Sequence, residues 1–127
     1  MATWKTVCDI MQALPGTDLD PPDQDAPAWR VNGKVIARRY PRLRVAGEDA
    51  MISRRGEVVA IRLFEQAERE TLLRSQSAVF FVTPHWQDSP SVLAWLADVP
   101  ADQLRELLTE AWRARAPRRL VRQLGSG

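Results

Sequence analysis

Cysteine is nearly absent from this 127-residue chain, with Cys8 standing alone. A single thiol closes no intramolecular disulfide and builds no cysteine-rich metal site, so a packed core has to hold the fold. Histidine is as scarce. His85 is the sole imidazole, and one histidine without a convergent carboxylate pair makes a poor metal site. No P-loop, Rossmann glycine pattern, HExxH or CxxC occurs, which removes the common nucleotide, zinc-protease and redox motifs. Apolar runs are short, and none approaches the roughly 20 residues of a membrane span. The opening Met-Ala-Thr-Trp-Lys lacks an apolar signal core, so with the lone cysteine we expect a cytoplasmic protein and no membrane partner. Lysine occurs only at Lys5 and Lys34; every other basic residue is arginine, a bias that a GC-rich genome also produces.

What is present is an ordinary globular composition, 45% hydrophobic and 27% charged. The chain is long enough to bury one real core. We expect a single domain over residues 1–124 and a mobile Gly-Ser-Gly tail at 125–127. Trp4, Val7, Cys8, Met11 and Leu14 fall on one helical face, with Thr3 as N-cap and Pro15-Gly16 as stop. Residues 16–27, rich in proline and aspartate, read as a loop, and they lack the spacing of a calcium loop. Asn32-Gly33 between β-rich runs predicts a type I′ hairpin. Beyond it Ile36, Arg38 and Tyr40 alternate with Val35, Ala37 and Arg39, which sends Arg38 and Arg39 to opposite faces. Residues 48–56 read as a short helix and 57–63 as a strand. A helix over 65–74 turns Phe64, Ala67, Thr71 and Leu72 inward. The apolar runs 79–82 and 92–96, separated by a Pro-bounded loop, read as a strand pair at the centre of the sheet, covered by helices. Leu104, Leu107, Leu108, Ala111 and Trp112 form a wide helical stripe, and Leu120, Val121 and Leu124 a last short one after Pro117. Hairpin connections with segregated helices give an α+β class: one mostly antiparallel sheet with helices packed against it.

Net charge is only +2, but the charge is sorted. Residues 30–47 and 112–127 hold arginines and no acid, while aspartates gather in 18–25. Arg38, Arg39, Arg42, Arg44, Arg54 and Arg55 lie on the hairpin and its extension; Arg118, Arg119 and Arg122 lie near the C-terminus. Guanidinium groups suit phosphate through bidentate hydrogen bonds, so duplex DNA is the expected partner. Five phosphate contacts would give log K against log salt a slope of about −4.5. The competing reading is a solvated arginine surface paired with nearby acids, such as Glu106 and Glu110 with Arg113. His85 with Asp88, Ser89 and Ser91 invites a triad, but residues this close along one turn rarely converge with oxyanion donors. We therefore expect no enzyme and no cofactor. Four tryptophans fall on core positions, which leaves Trp86 as the exposed aromatic. The alternative to DNA binding is a small-molecule or protein-binding module with its site beside His85 and Trp86.

The motifs also resemble a known family. Val-Asn-Gly-Lys-Val-Ile-Ala-Arg at 31–38 looks like the GK-x-F-A hairpin of the MmcQ/YjbR family. Val-Phe-Phe-Val-Thr-Pro-His-Trp at 79–86, followed by Pro-Ser-Val-Leu at 90–93, resembles its strand–TPH–strand signature. The 104–120 stretch, with Ala111-Trp112 and Ala116-Pro117-Arg118-Arg119-Leu120, resembles its AW…APKRL ending, and Leu14-Pro15-Gly16 fits its first helix end. The resemblance implies a CyaY-like fold, also described as a double-wing DNA-binding arrangement. Two departures stand out: Ile36 replaces the common aromatic, and the basic segment 38–56 is longer than in compact members.

Overall fold

The structure is a computed structural model that describes residues 2–20, 27–40, 58–63, 65–82 and 90–126. Helix α1 (Trp4–Gln12) begins on a reciprocal capping box. The Thr6 amide donates to the Thr3 hydroxyl, and the Thr3 amide donates back to Thr6 Oγ1 at 3.0 Å. Its inward face carries Val7, Ile10 and Met11, while Cys8 is half-buried against the core.

Residues 17–20 are not a loop. They form strand β1 (Thr17–Asp20), antiparallel to β2 (Ala28–Val31). Two local contacts override the loop-like composition. Thr17 Oγ1 donates to the Met11 and Leu14 carbonyls at 2.6 and 3.1 Å, which pins the strand start to the end of α1. Asp18, directly opposite Arg30, accepts from its guanidinium.

The Asn32-Gly33 turn behaves as its sequence demands, with φ of 52° and 76°. Beyond it runs β3 (Lys34–Tyr40). Strict alternation fails here: Trp29 pairs with Ala37 but Arg30 pairs with Val35, so Ile36 is an extra residue, and Ile36 and Ala37 are both buried in the main core. Strand β4 (Val58–Arg62) follows, then α2 (Gln66–Ser75), β5 (Phe80–Phe81) and β6 (Ser91–Trp95). The described strands form one antiparallel sheet in the order β1-β2-β3-β4-β6-β5. The two apolar runs do pair, as β5 with β6, but not at the centre: β3–β4 occupies it and β5 is an edge. The Val79 and Phe80 amides both donate to the Gln76 carbonyl, so a turn out of α2 consumes the start of that run and leaves two residues to pair.

The phase of α2 also differs from expectation. Ala67 and Thr71 face solvent, and Arg69 and Leu72 are buried. Arg69, 5% exposed, donates from Nε to the Ser91 carbonyl at 3.0 Å, and that bond holds the helix in its orientation. Phe64 lies outside the described residues, as does the expected 48–56 helix.

After a 3₁₀ turn (Leu96–Asp98), Pro100 leads into α3 (Ala101–Arg115), whose Leu104, Leu107, Leu108, Ala111 and Trp112 are all buried. Trp112 Nε1 donates to the Pro15 carbonyl at 2.9 Å, tying α3 to the turn after α1. Ala116 is extended, as a residue before proline prefers, and the chain restarts as α4 (Arg118–Ser126), which runs past Leu124. The helices and one sheet face share the main core. On the opposite sheet face Val58, Ala60, Leu93 and Trp95 form a second buried cluster, with Phe81 stacked on Trp95 at 4.8 Å. The protein is α+β: an antiparallel sheet with helices packed against it. Among the described residues, no helix is long and apolar enough to cross a membrane.

Candidate nucleic-acid interface

The arginines singled out in the sequence divide into three groups. Arg38 and Arg39 lie near the end of β3. Arg38 stands across from Ala60 of the second cluster and Arg39 across from Val59 of the main core, so the two point to opposite faces. Both are half-buried, and neither is free of partners within the protein. Arg42, Arg44, Arg54 and Arg55 lie outside the described residues, as do His85 and Trp86.

Arg118, Arg119 and Arg122 are exposed on α4, and Arg122, like Arg38 and Arg39, has a partner within the protein. At 100° per residue they span an arc of about 100°, roughly opposite Leu120 and Val121. Those two pack against the main core, and a Cβ at Gly16 would collide with Leu120 Cδ1. The helix is thus seated by its apolar side and holds its guanidinium groups outward. Gly16 adjoins Thr17, which faces Val31, so α4 docks at the hairpin-tip end of the sheet. Arg38 is four residues further along β3, about 13 Å at ~3.3 Å per residue. The fold therefore gathers the α4 arginines at the hairpin tip, away from Arg38 and Arg39.

At the same end lies a cationic concavity that the linear sequence does not disclose. It has a volume of about 550 Å³ and is lined by Gly33, Lys34, Val35, Arg62, Ala114 and Arg115. No acid is among these lining residues. Burial, and then the charge of Arg62, hold the Arg115 guanidinium below its usual pKa. Arg115 Nη1 is enclosed with no hydrogen-bond partner among the described residues. In the sequence Lys34 groups with the hairpin and Arg115 with the C-terminal arginines, and nothing marks Arg62. The signal is the β3–β4 register, which brings the end of β4 back to the hairpin tip.

On the other side of Ala114 the charge changes sign. Glu65, Glu68 and Glu110 line a smaller concavity of about 210 Å³. Desolvation, then Glu65 and Glu110, push the Glu68 carboxyl above its ordinary value. Arg113 offers Glu110 a long contact of 3.9 Å, so the expected pairing of arginines with acids exists here in weak form. Among the described residues no group of three or more His, Cys, Asp or Glu side chains could hold a metal ion.

Comparison with known proteins places this architecture. The YjbR family model matches residues 12–114. The chain belongs to the YjbR family. Similar relatives include the uncharacterized protein Rv2570 of Mycobacterium tuberculosis (strain H37Rv) and the uncharacterized protein Mb2600 of Mycobacterium bovis. Each is 35% identical over 126 residues, covering 95% of this chain and 94% of the relative. The Deinococcus radiodurans protein DR2400, with a DUF419 domain, has a similar fold: its TM-score is 0.63 at 15% identity, over 88% of this chain and 77% of that one. The YjbR match ends at Ala114, so Arg115 and the α4 arginines lie just past the matched span.

Proposed function

We propose that this YjbR protein is a non-enzymatic, cytoplasmic protein that binds the phosphate backbone of duplex DNA. The arginine face of α4 makes the principal contact, and Lys34 and Arg62 lie at the same end of the molecule. The observation that carries this reading is the build of α4. Leu120 and Val121 hold it on the core, so Arg118, Arg119 and Arg122 form a fixed, outward cationic strip with no acid in residues 112–127. A helix already seated on the core loses less backbone entropy on binding than a tail would, and guanidinium suits phosphate. The acidic concavity beyond Ala114 repels a polyanion and restricts the approach to one side.

The test is fluorescence anisotropy with a labelled duplex at low ionic strength. Arg118→Gln, Arg119→Gln and Arg122→Gln together should weaken binding at least tenfold, whereas Arg74→Gln on α2, away from this end, should not. Absence of binding at low salt would refute the proposal.

A further inference from the structure

We propose that the concavity between the hairpin tip and the end of α3 is a binding site for a phosphomonoester, the terminal phosphate dianion of a nucleotide-sized ligand. Three cations from three separate elements converge on it: Lys34 from β3, Arg62 from β4 and Arg115 from α3. Like charges brought together without a carboxylate among the described lining residues repel one another. The described lining residues supply no counter-charge, and an anion would provide one. Arg115 Nη1 is a buried donor with no partner among the described residues, and a phosphate oxygen would satisfy it once the guanidinium turns toward the concavity. Gly33 contributes open backbone: with φ of 76°, a Cβ added there would meet nothing within 4 Å, so a ligand can approach the turn closely.

The shape selects the ligand class. A volume of about 550 Å³ lies within the usual size range of small-molecule sites. A duplex backbone is convex and presents one charge per phosphate, whereas a terminal phosphate is small enough to enter a concavity and carries up to two charges for three cations. No α4 residue is among the described lining residues, so this site stands or falls separately from duplex binding through the α4 arginines. The rival explanation is that Arg115 serves only the C-terminal end of α3, where a cation is favourable whatever is bound.

Thermal shift and calorimetry on the full chain, at constant ionic strength set with sodium chloride, separate these cases. The probes are inorganic phosphate, adenosine monophosphate, adenosine, and matched single strands with a 5′-phosphate or a 5′-hydroxyl. Saturable stabilisation by a phosphate-bearing probe, with no response to adenosine or to the 5′-hydroxyl strand, is the expected result. Adenosine monophosphate acting alone would identify a free nucleotide as the source, and the 5′-phosphate strand acting alone would identify a strand end; either supports the site. Arg62→Gln, at an exposed position that should not disturb folding, and Arg115→Gln should each raise Kd at least tenfold. The triple Gln variant of Arg118, Arg119 and Arg122 should leave it within twofold. Equal responses to phosphate and chloride, or phosphate binding unchanged in Arg62→Gln and Arg115→Gln, would overturn the proposal. Loss of stability in Arg115→Gln with no phosphate response in the parent would leave the helix-end role and overturn it as well.

Discussion

Trp112→Phe removes a single donor and part of one ring from the best-enclosed aromatic of the protein. Trp112 is fully buried, and its Nε1 donates to the Pro15 carbonyl at 2.9 Å across a sequence separation of 97 residues. Phenylalanine fills the part of the indole site nearest Cβ but leaves the outer part empty and the carbonyl without that donor. A lost hydrogen bond of this kind costs about 1–1.5 kcal/mol. The missing volume, about 40 Å³ at ~24 cal/mol per Å³, adds about 1 kcal/mol. The expected loss is therefore about 2–2.5 kcal/mol, read as a lower urea midpoint with an unchanged m value. Circular dichroism should show the same helix content before the transition, because the ring still packs against Leu108 and its neighbours in the core. A loss below about 0.5 kcal/mol would mean that the α3–Pro15 link contributes little, and the reasoning would fail.

Three further perturbations address other parts of the account. Arg69→Met keeps a flexible apolar stem but removes the guanidinium donor to Ser91, so it should cost about 2 kcal/mol and speed hydrogen exchange in β6. Gly16→Ala faces a φ of 75° and a collision with Leu120; it should cost at least about 1 kcal/mol, and trypsin should cut at Arg119 and Arg122 before the rest of the chain unfolds. Glu68 has its folded-state pKa raised above 4.5, so its ionisation is disfavoured in the folded state and stability falls as pH rises through that raised value. Glu68→Gln should accordingly melt higher than the parent at neutral pH, with the advantage vanishing below the ordinary carboxylate value; an equal advantage at every pH would contradict this origin.

Local signals carry much of the architecture. Asn32-Gly33 sets its hairpin because few residues other than Asn and Gly take positive φ at both turn positions. The five apolar positions from Leu104 to Trp112 lie on the buried side of α3 because nothing competes with their helical period. Where tertiary contacts outweigh composition, the sequence misleads. Two aspartates hide β1, which is held by the Thr17 hydroxyl and the Asp18–Arg30 pair. An arginine rather than the alanine and threonine faces inward on α2, since its guanidinium finds a strand carbonyl that no periodicity reveals. The candidate site divides along the same line. The α4 arginines are visible as a charge run with a helical phase. The Lys34–Arg62–Arg115 concavity is not, because its members are 28 and 53 residues apart and meet through sheet register and the end of α3. Alternation along β3 does send Arg38 and Arg39 to opposite faces, yet they sit at the wrong end of the strand to join that cluster.

The salt dependence of duplex binding bears most directly on the α4 arginine face. The slope of log K against log salt should be shallower by about 2.7 in the triple Gln variant of Arg118, Arg119 and Arg122 than in the parent, one increment of ~0.9 for each phosphate no longer neutralised. Identical slopes in the two proteins would show that these guanidinium groups touch no phosphate, and the account would be wrong at its centre.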